Sequence, residues 1–245
     1  MRLTVLTLNL WNVSAPLAPR MAALVAGLKI LRPDIVCLQE VADNPGTRQR
    51  QSAFAAEACG LPHAVDNGQI SILSRFPIER SCSIALPDVP EDEPRQALMA
   101  GMRIDGRPLL VVNTHLCWRL EWLAERKAQV DVLLPAIERY GMADQAKILC
   151  GDFNDDPDSP ALRAVVDYRI GFHDTFADCR PGDIGFTWSR QNPYVHPSTT
   201  RDQRVDYIFA AGDLVSKDCS VVFDGSNGLA LASDHYGVFC TLEFR

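Results

Sequence analysis

QALMAGMRIDGRPLLVVNTHL, residues 96–116, contains two apolar β runs separated by Asp105 and Gly106. Aspartate followed by glycine predicts a two-residue hairpin turn, because both central positions of that turn take a positive φ. The stretch therefore introduces antiparallel pairing into the sheet. Near the end of its second run lies a polar residue, His115, which the packing of an apolar strand does not require.

Helical patterns flank this hairpin on both sides. After it, apolar residues at helical spacing predict a helix from about 119 to 140, with Arg126 and Lys127 exposed and Pro135 able to kink or shorten it. Before it, a second helix is expected from about 47 to 59.

Strand-like and helix-like segments alternate along the chain without a linker or a shift in composition. This pattern predicts one α/β domain over residues 1–245. The stretch from about 172 to 203 differs, because it is rich in Pro, Gly, Asp, Arg and aromatic residues and shows little periodicity. We interpret it as a set of surface loops, where substrate specificity usually resides.

Composition and charge exclude several classes of protein. With 47% hydrophobic and 22% charged residues, the chain is typical of a soluble protein with a sizeable core, not of a disordered one. Its 31 acidic and 24 basic residues give a formal net charge of −7. A phosphate-bearing partner therefore needs a local site or a bound cation, since the overall field repels it.

The sequence also bears on the cellular compartment. No stretch approaches the roughly 20 apolar residues that cross a bilayer, and the apolar N-terminus alternates like a strand instead of a signal peptide. The eight cysteines form no CxxC pair, which disfavours a zinc ribbon. Cys37, Cys150 and Cys240 lie in apolar runs where a reduced thiol packs as a small hydrophobe. We expect a cytoplasmic protein without stable membrane association.

Polar side chains occur at the ends of the apolar strands or interrupt them. They are Asn9, Glu40, His115, Asp152, Asn154, Asp206, Asp234 and His235. Taken singly, each has an ordinary explanation as a solvated strand end, a turn residue or a satisfied core histidine. Together, these explanations require a separate coincidence at every position. Since strand ends build the ligand crevice of α/β sheets, the joint pattern predicts one site.

The residue types in this set indicate metal-assisted hydrolysis. Carboxylates, carboxamides and imidazoles without a cysteine suit Mg²⁺ or Mn²⁺ better than Zn²⁺. Because Mg²⁺ usually takes only one or two carboxylates, the others are free to orient water or a histidine. A hard cation beside His and Asp fits hydrolysis of a phosphate ester.

The ordered segments TLNLWN, LQEV, ILSR, NTHL, GDFN, RVDYIF and SDHYGV are together similar to the endonuclease/exonuclease/phosphatase superfamily of DNase I-like hydrolases. The resemblance covers nearly the whole chain, from Asn9 to His235. It implies a four-layered α/β sandwich, in which two mixed β-sheets pack face to face and are flanked by helices. The active site is then expected at one end of the sandwich.

The resemblance also implies which residues hold the metal and the phosphate. Glu40 is expected to be the principal Mg²⁺ ligand, with Asn9 close by and Asp234 helping to hold the ion. Asn154 is expected to bind the phosphate.

A second group is implied to act on water and on the leaving oxygen. Asp152 is expected to orient or deprotonate the attacking water. His235 resembles the catalytic histidine of the family, with Asp206 as the carboxylate that orients it. His115 resembles the second histidine, which contacts the phosphate or the leaving oxygen.

The sequence leaves the substrate within the family open. AP endonucleases usually carry an acidic residue shortly after the first asparagine motif, whereas Leu10, Trp11 and Asn12 follow Asn9 here. Tyrosyl-DNA phosphodiesterases carry a GDTN-type motif where this chain has GDFN. The export signal and membrane-binding hairpin expected of secreted sphingomyelinases are not seen in the sequence.

Basic and aromatic residues suggest how a substrate is recognised. Arg201 and Arg204, near Trp188 and Tyr194 in sequence, predict a phosphate-and-stacking rim for a short or single-stranded nucleic acid. Their alternative is ordinary solvated surface. Further groove candidates are Arg75, Arg95, Arg119, Arg126 and Arg190.

The main hypothesis is a Mg²⁺-dependent phosphoester hydrolase, either a nuclease or a phosphodiesterase or phosphatase of smaller substrates. One alternative is a sphingomyelinase-like phospholipid phosphodiesterase. The other is a non-catalytic binding protein on the same scaffold, which the intact set of site residues disfavours. Nothing in the sequence sets the oligomeric state.

Overall fold

The computed structural model describes residues 1–142 and 145–245, whose strands form two mixed six-stranded sheets. The first sheet contains β1 (Arg2–Asn9), β2 (Ile35–Gln39), β3 (His63–Asp66), β4 (Ser71–Ser74), β11 (Leu214–Val222) and β12 (Gly237–Phe244). The second contains β5 (Ile78–Ala85), β6 (Gln96–Ile104), β7 (Arg107–His115), β8 (Ala146–Asp152), β9 (His173–Asp174) and β10 (Asp206–Ala211). The strand orders are β11-β12-β1-β2-β4-β3 and β5-β6-β7-β8-β10-β9.

Helices cover the outer faces of the two sheets. They are α1 (Leu17–Leu31), α2 (Gln51–Cys59), α3 (Leu123–Tyr140), α4 (Pro160–Asp167) and the short α5 (Thr175–Cys179). One apolar cluster fills the space between the sheets. A second packs α3 and α4 on the second sheet, and a third packs α1 and α2 on the first. The predicted four-layered sandwich is confirmed.

The parallel strand pairs lie at the middle of each sheet. β1 pairs with β2 and β7 pairs with β8, and the connections of these pairs carry α1 and α3, respectively. In the second sheet, Asp152 is in register with His115 on one side and with Asp206 on the other. The sheet register therefore brings three of the predicted polar residues into one row.

The hairpin prediction is also confirmed. β6 and β7 pair in an antiparallel register on either side of Asp105 and Gly106, whose φ angles are 49° and 81°. Both turn residues thus take the left-handed conformation that Asp-Gly tolerates well. This hairpin places β7, and with it His115, beside β8.

The helix boundaries differ from the expectation. α2 begins at Gln51, because the preceding residues form a turn that is closed by a bridge between Asp43 and Arg50. α3 begins at Leu123 and continues past Pro135 to Tyr140. The proline neither ends nor shortens the helix.

The expected exposure of Arg126 is wrong. Its side chain is buried, and its Nε lies 3.0 Å from Asp155 Oδ2. Its Nη1 donates to Arg119 O at 2.6 Å. The periodicity of α3 does not reveal this contact, since the partners lie in loops outside the helix.

Most of the stretch predicted as loops is irregular. It begins with β9 and α5, which were not expected, and from residue 180 to 205 it forms turns and isolated bridges. All eight cysteines are free, and Cys37, Cys150 and Cys240 are fully buried as expected. No helix in the described part of the chain is long and apolar enough to cross a bilayer.

Candidate active site

The carboxyl ends of the two parallel strand pairs open into a cavity of about 990 Å³. Seven predicted site residues line it: Glu40, His115, Asp152, Asn154, Arg201, Asp234 and His235. Asn9 and Asp206 are buried and reach this set through hydrogen bonds. The structure therefore brings nine of the ten predicted residues to one place, and Arg204 is the exception.

Asn9 joins the two sheets at the base of the site. Its Nδ2 donates to Glu40 Oε1 and to Asp152 Oδ2, both at 3.0 Å. Its Oδ1 accepts the backbone N–H of Trp11 at 2.9 Å, so its amide orientation is set on both sides. Asn12 donates to the second oxygen of Glu40 at 3.1 Å. Glu40 is thereby held by two amides while it remains half-buried at the cavity wall.

Asp152 lies at the end of β8 and is almost completely buried. The preceding Gly151 has a φ of 137°, and a Cβ there would lie 1.9 Å from Thr114 O, so only glycine fits. Asp152 Oδ1 accepts the backbone N–H of Asn154 at 2.9 Å. Burial, together with the charge of Asp206, raises the pKa of Asp152 to about 7.

His235 lies between two carboxylates. Its Nδ1 is 2.9 Å from Asp206 Oδ2, and its Nε2 is 3.7 Å from Asp152 Oδ2. Burial lowers the pKa of an imidazole, but Asp206 and Asp152 outweigh it and raise the pKa of His235 well above its ordinary value. The ring of Trp188 packs edge-on against it at 4.7 Å between centroids. A cationic imidazole is therefore held in a fixed orientation.

His115 has the opposite electrostatic setting. Arg95 Nη1 lies 3.0 Å from its Nδ1, and Arg95 is in turn paired with Asp92 at 2.7 Å. Burial, Arg95 and His235 lower the pKa of His115 well below its ordinary value. Because arginine can only donate, Nδ1 of the neutral ring accepts and Nε2 carries the proton. That Nε2 lies 3.4 Å from Asp152 Oδ2.

Asp234 is positioned by the loop that precedes β12. Asn192 Nδ2 donates to the backbone carbonyls of Ser233 and Asp234, at 2.9 and 3.0 Å. Ser233 Oγ donates to Asp234 Oδ1 at 3.1 Å. Burial and the charge of Glu40 raise the pKa of Asp234 to about 6. The repulsion between Asp234 and Glu40 is of the kind that a bound cation relieves.

Two sets of donors in this site have the composition of a cation site. Ligand atoms of Asp152, Asp206 and His235 all lie within 4.8 Å of one another. Asp206 Oδ1 in this set is buried and has no hydrogen-bond partner among the described residues. The other set is the one inferred from sequence, Glu40, Asn9 and Asp234. Both sets border on the same cavity through Glu40, Asp152, Asp234 and His235.

The two predicted arginines lie in different settings. Arg201 lies at the cavity wall, is 56% exposed in its side chain, and pairs with Asp156 at 2.9 Å. Arg204 is buried, pairs with Asp174 at 2.7 Å, and packs on the ring of Phe176. Arg204 does not line the cavity, so the prediction that it contributes to a substrate-binding rim is not supported by its position. Its charge is neutralised inside the fold.

Other residues also shape the site. Trp188 and Tyr194 were stacking candidates from sequence, and both line the cavity, whereas Trp11, Trp118 and Asn192 were not assigned a role. Trp11 and Tyr194 stack at 5.9 Å between ring centroids and form one aromatic wall of the cavity. Trp118 lies on the wall and is 54% exposed. The position of Trp11, two residues after Asn9, was a usable signal. The contacts of Asn192 depend on loop geometry and have no such signal.

The sequence model described as the Endonuclease/Exonuclease/phosphatase family matches residues 6–235. The chain belongs to this family. It is therefore a hydrolase of phosphate esters, in a family that generally uses a divalent metal. No curated protein matches this family member in sequence.

Solved structures share the fold of this family member. Truncated Caenorhabditis elegans TDP2 superposes with a TM-score of 0.83 at 21% identity, over 100% of this chain and 98% of that chain. D. rerio TDP2 complexed with a single-strand DNA product gives 0.80 at 21%, over 99% of both chains. The endonuclease/exonuclease/phosphatase from Bacteroides vulgatus gives 0.80 at 17%, over 100% of both.

Proposed function

We propose that this protein is a Mg²⁺-dependent phosphodiesterase that cleaves short or single-stranded nucleic acid. The observation that carries the proposal is the buried chain Asp206–His235–Asp152, whose His235 and Asp152 line the same cavity as Glu40 and Asp234. The site thus combines a hydrogen-bonded carboxylate, Asp152, with the imidazolium of His235. A separate pair of carboxylates, Glu40 and Asp234, is available for a cation. Hydrolysis of a phosphate ester needs these three parts.

We assign the cation to Glu40 and Asp234, with Asn9 orienting Glu40 through its amide hydrogen, instead of to Asp152, Asp206 and His235. A histidine ligates metal in its neutral form, whereas Asp206 and Asp152 raise the pKa of His235 well above its ordinary value and Asp206 engages its Nδ1. Glu40 and Asp234 are oxygen ligands whose mutual repulsion favours a cation between them. When bound, Mg²⁺ polarises a phosphoryl oxygen and neutralises charge that develops on it.

Asp152 is placed to take a proton from the attacking water. Its Oδ2 accepts from Asn9, and its Oδ1 accepts from the backbone of Asn154, so the carboxylate is held in one orientation. A carboxylate whose pKa is about 7 is a better proton acceptor near neutral pH than an ordinary aspartate.

The two histidines and Asn154 supply hydrogen-bond donors. His235, kept cationic by Asp206, donates its Nε2 proton toward charge on the phosphoryl group. His115, kept neutral by Arg95, donates from Nε2 without adding a charge. Asn154 Nδ2 donates to Leu116 O at 3.0 Å, and an amide nitrogen carries a second hydrogen that can contact phosphate.

The side chains that line the cavity favour a nucleic-acid substrate of limited length. Trp11 and Tyr194 offer a stacked aromatic wall, and Arg201 adds an exposed cation at the rim. Base stacking combined with a local cation is the usual way to bind a single strand. A net charge of −7 disfavours a long duplex track. The structural likeness to a TDP2 complexed with a single-strand DNA product is consistent with this choice.

A substrate panel tests the proposal. It comprises single-stranded and duplex DNA, RNA, sphingomyelin vesicles, inositol phosphates and bis-p-nitrophenyl phosphate, each with Mg²⁺ and with EDTA. We expect Mg²⁺-dependent cleavage of the single strand in preference to the duplex. Turnover of sphingomyelin vesicles without cleavage of nucleic acid would select the phospholipid alternative. Binding of substrate without turnover of any member would select a non-catalytic protein.

A further inference from the structure

Arg20, on α1, is completely buried, and no carboxylate of the described residues forms an ion pair with it. Its guanidinium donates to backbone carbonyls instead. The partners are Leu10 O at 2.6 Å, Trp11 O at 3.4 Å, Asn12 O at 3.2 Å, Ser14 O at 2.6 Å and Ala232 O at 3.3 Å. A buried arginine whose guanidinium donates to the carbonyls of two separate segments holds those segments in a fixed relative position.

The first segment is the loop that follows β1. Trp11 and Asn12 both have left-handed backbone conformations, with φ of 54° and 39°. Non-glycine residues hold such conformations when surrounding contacts determine them, and Arg20 binds the carbonyls of both. Arg20 also lies under the Trp11 ring, 5.0 Å from its centroid. This loop presents Asn12 to Glu40.

The second segment is the loop that precedes β12. Ala232, whose carbonyl Arg20 binds, lies two residues before Asp234. Arg20 therefore connects the loop that supports Glu40 with the loop that carries Asp234. We propose that Arg20 is a positioning residue that fixes the spacing of these two loops and thereby sets the affinity of the cation site. This inference rests on the assignment of Mg²⁺ to Glu40 and Asp234.

The role of Arg20 is geometric and not electrostatic. A positive charge near Glu40 and Asp234 would by itself oppose the binding of a cation. Lysine in the same place keeps the charge but has three donors on one nitrogen, so it cannot reach all the carbonyls that the planar guanidinium spans. Arg20→Lys thus separates geometry from charge.

Arg126 provides a matched control. It is also a buried arginine on a helix, and it also donates to loop carbonyls, those of Cys117, Arg119 and Leu120. Its loop follows β7, on the His115 side of the site. Unlike Arg20, Arg126 also pairs with a carboxylate, that of Asp155. Arg126→Lys therefore disturbs a comparable set of loop contacts without touching the loops of Glu40 and Asp234.

The test is calorimetric titration of Mg²⁺ into the full chain without substrate, with melting temperatures measured for each variant. Loss of a contact that orients metal ligands typically weakens metal affinity by about 10- to 100-fold, and we expect Arg20→Lys to raise the Kd for Mg²⁺ in that range. Arg126→Lys, at a comparable loss of melting temperature, is expected to leave the Kd close to that of the wild type.

A folded Arg20→Lys variant with wild-type Mg²⁺ affinity would overturn the inference, as would an equal loss of affinity in both lysine variants. Arg20→Gln is the second variant, and if neither Arg20 variant folds, Arg20 is a core residue and the inference also fails. Wild-type protein that binds no Mg²⁺ would instead contradict the metal assignment of the proposed function.

Discussion

His235 Nδ1 lies 2.9 Å from Asp206 Oδ2, and both side chains are buried. On the other side of the ring, Nε2 lies 3.7 Å from Asp152 Oδ2. The imidazole therefore lies between two carboxylates that come from adjacent strands of one sheet. Burial alone would lower the pKa of the ring, but the two carboxylates raise it and so favour the protonated form. The fold thus places a hydrogen-bond donor where the strands end, and we propose that this donor contacts the phosphate.

Asp206→Asn is expected to shift the pH dependence of catalysis. The Asp206 charge raises the pKa of His235, so without it the imidazole loses its proton at a lower pH. The alkaline limb of kcat/KM should move to lower pH, and the rate below that limb should fall by about 10²-fold or more. A pH–rate profile of the variant checks both effects. An unmoved alkaline limb would show that His235 is not the group that titrates there.

Glu40→Gln is expected to weaken the cation site. It removes the charge of the half-buried ligand, so the Mg²⁺ concentration for half-maximal activity should rise about 10- to 100-fold. Glu91→Gln is the control, because Glu91 borders an adjoining cavity but is 71% exposed and paired with Arg119. Equal Mg²⁺ requirements of the two variants would be evidence against Glu40 as a ligand.

Arg201 and Arg204 should separate recognition from stability. Arg204→Ala leaves the charge of Asp174 without its partner and should destabilise the fold by about 3–5 kcal/mol. Arg201→Ala removes an exposed pair and should change stability by no more than about 0.5 kcal/mol, while raising KM for a single strand. Urea unfolding and steady-state kinetics measure the two effects. A normal KM in Arg201→Ala would remove Arg201 from the substrate rim.

Tyr194→Ala is expected to weaken binding of bases. Stacking on an aromatic side chain contributes about 1–3 kcal/mol per base, so KM for oligothymidylate should rise by roughly five- to 150-fold. An abasic oligonucleotide of the same length carries the same charge without bases, and its KM should stay unchanged. Equal increases for both oligonucleotides would show that Tyr194 supports the cavity wall without stacking on bases.

The strand ends were predictable from sequence because their signals are local. Asp105 and Gly106 encode the turn that brings β7 beside β8, and the polar residues that follow each apolar run mark the edge where the strands meet. The sheet register then aligns His115 with Asp152 without further information.

The buried arginines were not predictable because their partners lie in irregular loops and, in part, far away in the chain. Arg20 contacts Ala232, which is 212 residues away, and Arg204 contacts Asp174, which is 30 residues away. A charged residue at such a position is ordinarily exposed, so composition and periodicity favour the wrong environment. The left-handed conformations of Trp11 and Asn12 were not predicted either. Glycine is the residue that ordinarily signals a positive φ, and neither of these residues is a glycine.

The proposed Mg²⁺-dependent catalysis through His235 can be measured as cleavage of a labelled single-stranded oligonucleotide by the wild type and by His235→Ala, each with Mg²⁺ and after EDTA. We predict that EDTA abolishes cleavage and that Mg²⁺ or Mn²⁺ restores it. His235→Ala should be slower by orders of magnitude, with a circular dichroism spectrum like that of the wild type. Cleavage that persists after exhaustive chelation, or a near-normal rate of His235→Ala at saturating Mg²⁺, would contradict the account.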